Sequence, residues 1–139
     1  MNTNKILLGG IVGGVVFFFL GWLIYGMLLA DFMESHGNSC AMRPMEEFIW
    51  WAMIASNLFS ALLLAIIFSW SNTAGFAGGL KTGAIVGLLV GLSIDLSFYS
   101  MSTMLSDMTA LLVDILVYTV TTALAGGVIA WVMTMGKKE

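Results

Sequence analysis

Four uninterrupted apolar stretches decide most of what this chain can become. They run roughly from Ile6 to Ala30, Phe48 to Trp70, Thr82 to Met101 and Met108 to Met133. A helix rises about 1.5 Å per residue, so about 20 residues cross a hydrocarbon layer about 30 Å thick, and each stretch is long enough. Spanning strands would instead show alternation over about ten residues and close into a barrel. Of the 139 residues, 60% are hydrophobic and 9% charged, and the mean hydropathy is +1.00. A water-facing domain carries about a quarter of its residues as charges. The sequence therefore predicts an all-α polytopic membrane protein, a single domain over residues 1–139. Its four transmembrane helices, at about 6–30, 45–70, 82–102 and 107–133, form an up-down bundle.

The charges sort by position. Lys5, Lys81, Lys137 and Lys138 fall at the N-terminus, the second connection and the C-terminal tail. The first connection holds Asp31, Glu34, Glu46 and Glu47 against Arg43, and the third holds Asp107. The positive-inside rule then puts both termini in the cytoplasm. The first apolar run is too long for a cleaved signal peptide, and Leu28-Leu29-Ala30 lacks a small-x-small site, so it is expected to stay as a span. With Cys40 as the only cysteine, no disulfide forms within the chain. No basic cluster points to nucleic acid.

The first connection brings Asp31, Glu34, His36 and Cys40 within ten residues. That spacing fits no zinc pattern, and a solvated loop without metal is expected. Pro44, Glu46 and Glu47 suit the first turn of the second span. "SNTAGFAGGLK" (71–81) reads as a glycine-containing connector, and 102–107 as a tight turn joining the last two spans as an antiparallel hairpin. Trp22, Tyr25, Trp50, Trp51 and Tyr99 fall toward one interface, and Trp70 and Trp131 toward the other, as an aromatic belt.

Small residues mark the helix contacts. Gly9/Gly13 and Gly10/Gly14 in the first span are small-xxx-small pairs, and Gly83, Gly87 and Gly91 continue the pattern in the third. A weak internal echo aligns "IVGGVVFFFLGWLIYGM" (11–27) with "IVGLLVGLSIDLSFYSM" (85–101) and pairs Tyr25 with Tyr99.

Two acids interrupt the apolar runs. Asp95 continues the stripe Gly83, Gly87, Gly91 at every fourth residue, and Asp114 shares a face with Ala110, Tyr118, Thr121 and Ala125. A charge near the bilayer centre costs at least about 2.5–3.5 kcal/mol, so both are expected to turn inward. If the tight turn is centred between Met104 and Leu105, Asp95 lies level with Asp114, Tyr118 opposite Gly91 and Tyr99 opposite Ala110. Two such carboxyls favour a shared proton or a bound cation, with Tyr99, Tyr118, Asn57, Thr121 and Thr122 as candidate hydrogen-bond partners. A protonated acid can equally serve as polar glue between helices. Catalysis lacks a nucleophile–base pair and a metal-ligand spacing, so no enzymatic activity and no cofactor are expected.

The runs "FFFLGWLIYGMLL" and "NLFSALLLAIIF" resemble an uncharacterised family of small bacterial four-helix inner-membrane proteins, a domain of unknown function. That resemblance implies a fold and supplies no mechanism. Two functions stand on the sequence. The leading one is a non-catalytic accessory or interaction module that assembles with itself or another membrane protein through glycine-rich helix faces. The alternative is a carrier or channel for protons or monovalent cations built on Asp95 and Asp114. In both, the lipid bilayer is the surrounding partner.

Overall fold

A computed structural model describes residues 2–36 and 43–135. The described residues form α1 (Thr3–Leu23), a π turn (Ile24–Leu28), α2 (Ala30–His36), a 3-10 turn (Met45–Glu47), α3 (Trp50–Trp70), α4 (Gly75–Met101) and α5 (Met108–Thr134). Four helical stretches, with the π turn counted as the end of the first, are long and apolar enough to cross a membrane. This is a helical membrane protein.

Two span starts and one connection differ from the sequence expectation. The second span starts at Trp50 rather than at 45. Pro44, with ψ at 152°, leads only into the short 3-10 turn, which Phe48 ends in extended backbone. The third span starts at Gly75, so most of the expected connector is helical and only Ser71–Ala74 turns the chain. Asn72 and Gly75 take the positive φ values of that turn, which these residue types tolerate. Gly78 and Gly79 are poor helix formers, yet Gly79 packs against Gly126 and Ala130, and tertiary contact outweighs propensity. Lys81 consequently stands on α4, exposed, rather than in a loop. The first connection is also not simply a loop, since Ala30–His36 is helical. Cys40, Lys137 and Lys138 lie outside the described residues.

The helices pack through their small residues. On α1, Gly9 and Gly13 meet Met133 and Ile129 of α5, while Gly10 and Gly14 meet Leu62 and Leu58 of α3. Both pairings run antiparallel, and α1 fills the groove between α3 and α5. The buried apolar core lies there, with Phe17 from α1, Leu64 and Phe68 from α3, and Ala125 and Ile129 from α5.

α4 is attached differently. Its buried residues are Gly79, Gly83, Gly87, Gly91 and Asp95, one every fourth position. Gly91 meets the ring of Tyr118, Gly87 the side chain of Thr122, Gly83 the backbone from Thr122 to Gly126, and Gly79 the Gly126 carbonyl and the Ala130 methyl. Each pair is symmetric about the point between Met104 and Leu105, so one register holds along the whole α4–α5 contact. Away from that stripe α4 exposes large apolar side chains, among them Leu89, Ile94, Leu96 and Phe98.

Candidate functional site

The glycine stripe ends at Asp95, and that is where the polar site lies. Asp95 is 7% exposed. It comes within side-chain hydrogen-bonding reach of Asp114, the residue the α4–α5 register sets opposite it. Both stand six residues inside their helix ends, at Met101 and Met108. At 1.5 Å per residue that is about 9 Å from the end of helices about 40 Å long. The pair thus sits about a quarter of the way along the hairpin and not at its middle, because α4 is longer than the third apolar run.

The third member comes from the first helix. The phenol of Tyr25 donates to Asp114 Oδ1 at 2.6 Å. Tyr25 lies in the π turn, which the Leu29 N–H closes onto the Ile24 carbonyl at 2.8 Å. A π turn holds one more residue than an α turn and so rephases the side chains along it. The sequence expectation placed Tyr25 among interface anchors. It is half-buried and points into the bundle instead. Periodicity gave no signal for this; the only hint was a tyrosine near the end of a span whose length matches the depth of Asp114.

Tyr118 borders the cluster. Its ring lies on Gly91, next to Asp95, and the small residue opposite makes room for it. Other expected members go elsewhere. Tyr99 is 39% exposed, so the internal echo that pairs it with Tyr25 carries no common role. Asn57 donates back to the Met53 carbonyl of its own helix at 2.8 Å, and Thr122 does the same to Tyr118 at 2.7 Å. Thr121 is buried on α5, two turns from Asp114 on the same face. Asp95 Oδ2 and Thr121 Oγ1 are buried without a hydrogen-bond partner among the described residues.

No protein-family model, curated protein sequence or solved structure matches this chain.

Two facing carboxyl groups are both acceptors when ionised, and they bond to each other only through a proton or a cation. Among the described residues, no group of three or more His, Cys, Asp or Glu is placed to hold a metal ion. The Tyr25 hydroxyl supplies one donor to Asp114, and none of the described residues supplies one to Asp95 Oδ2. The arrangement suits one shared proton, or a single small cation resting on carboxylate and hydroxyl oxygens.

The ends of the helices are tied separately. Asp107 caps α5 by accepting from the Ala110 N–H at 2.7 Å. On the same turn, both the N–H and the hydroxyl of Ser106 donate to the His36 carbonyl at the end of α2. α2 therefore crosses from the π turn to the α4–α5 turn, over the end of the bundle nearest the acids.

Proposed function

We propose that this chain is a small non-catalytic integral membrane protein whose working part is the Asp95–Asp114 pair, a site that takes up a proton or a monovalent cation. The observation that carries this reading is the unpartnered, buried Asp95 carboxylate oxygen beside a second carboxyl. An acid in apolar surroundings stays buried only if a proton or counter-ion accompanies it.

The basic residues at the opposite end of the bundle support a cytoplasmic location for the termini and an inner-membrane setting, with the acid pair near the external face. A 40 Å helix centred on a hydrocarbon layer of about 30 Å overhangs by about 5 Å at each end. The pair then lies about 4 Å inside the external boundary, within reach of headgroup water. Beyond Thr122 the α4–α5 contact is closed glycine packing, and the core beside it is apolar. This favours filling from the external side over a static open channel.

The glycine faces support a different conclusion from the one their abundance suggested. Gly9, Gly10, Gly13, Gly14, Gly83, Gly87 and Gly91 all have neighbours within the same chain. Those contacts support packing within one chain, and assembly with a second copy or another membrane protein stays a separate proposal.

Infrared difference spectroscopy on the protein in lipid tests the proposal. Acidification from the external side should change a carboxylic-acid C=O band, and Asp95→Asn should remove that change. Replacing choline with sodium or potassium separates cation uptake from proton uptake. Identical spectra for the native protein and the Asp95→Asn/Asp114→Asn variant would overturn it.

A further inference from the structure

The segment between Tyr25 and His36 is fastened almost wholly by polar ties. Neither the π turn nor α2 contains a buried residue. One end is held where Tyr25 donates to Asp114. The other is held where the His36 carbonyl receives both donors of Ser106. Apolar burial contributes little to keeping the segment in place, so its opening free energy is set by these bonds.

The Tyr25 bond also depends on what the acid pair carries. A phenol donating to an ionised carboxylate makes a charge-assisted bond, about twice as strong as a neutral one. With one proton shared, Asp114 retains anionic character toward Tyr25. A second proton makes it a neutral acceptor.

We infer that Tyr25 is a latch: filling the Asp95–Asp114 pair with a second proton weakens its hold on Asp114 and frees the Tyr25 end of the segment 24–36, which then opens about its remaining tie at His36. This rests on the acid pair being a titrating site, and adds the way in which its state is reported outside the membrane. Tyr25 is a positioning residue here, with the π turn setting its direction. The titratable groups that face the latch are Asp114 and Tyr118 from α5 and Asp95 from α4. α2, packed on the π turn, carries Asp31, Glu34 and His36, and the His36 ring stacks on Phe32 at 4.2 Å. α3 brings no ionisable group.

Hydrogen exchange of the full chain in lipid nanodiscs, corrected for the intrinsic pH dependence of exchange, reads the latch. The Leu29 and Met33 amides bond to Ile24 and Leu29 within the segment and serve as reporters. Their protection should fall about tenfold from neutral to acid conditions, the difference between a charge-assisted and a neutral hydrogen bond. Amides of α3 should not follow. Tyr25→Phe and Asp114→Asn should each show the low protection at both pH values, and His36→Gln should keep the native response. Equal native protection at both pH values overturns the latch, as does a response that survives Tyr25→Phe and vanishes in His36→Gln. If the infrared band titrates while the segment does not respond, the latch fails and the acid site stands. If the band does not titrate, the acid site itself fails.

Discussion

Tyr25 and Asp114, 89 positions apart, share a 2.6 Å hydrogen bond that joins the first helical span to the last. It ties two membrane-spanning segments together through their side chains, and it meets the acid that Asp95 faces. In lipid such bonds contribute about 0.6–2 kcal/mol.

Tyr25→Phe should therefore lower stability by about 1 kcal/mol, measured by thermal unfolding in a fixed mild detergent. Tyr118→Phe should have the smaller effect. Its ring contact with Gly91 is retained, whereas the Tyr25 change leaves a half-buried carboxylate oxygen without its donor.

Glycine substitutions on α4 should divide by what stands opposite. A Cβ at Gly83 lies 2.6 Å from the Thr122 carbonyl oxygen, which is backbone and cannot turn aside. Gly83→Ala should push α4 off α5 and cost about 1–3 kcal/mol. At Gly21 nothing lies within 4 Å, and Gly21→Ala should be neutral or stabilise α1 by up to about 1 kcal/mol through helix propensity. Paired melting curves check both.

Asp107→Ala should fray the first turn of α5. The lost acceptor is the cap of the Ala110 N–H, worth about 1 kcal/mol at a helix start. Exchange at residues 108–111 should quicken while the middle of α5 keeps its protection. Unchanged exchange there would mean that the α4–α5 turn, and not the cap, holds the helix end.

The exposed tryptophans should sit at headgroup depth. Trp51 and Trp70 are 75% and 71% exposed, at opposite ends of α3. Lipids brominated near the headgroup should quench tryptophan emission more strongly than lipids brominated near the chain terminus. The reverse order would place α3 differently in the bilayer.

The sequence by itself determined the four spans, since length and apolarity act locally and need no partner. It also carried the α4–α5 pairing. Gly83, Gly87, Gly91 and Asp95 repeat at helical spacing, and a turn centred between Met104 and Leu105 puts Gly91 against Tyr118, as observed. Helix starts were less legible, because Gly75–Lys81 reads as a breaker until Gly79 has Gly126 to pack on. Tertiary structure alone decided the third member of the site. One extra residue in the π turn redirects Tyr25 in a way that a 3.6-residue period hides, while Tyr99 and Asn57, plausible by spacing, are turned away from the acids. Periodicity tells which face of a helix is inward; which distant side chain arrives there is settled when α1 lies down in the groove between α3 and α5.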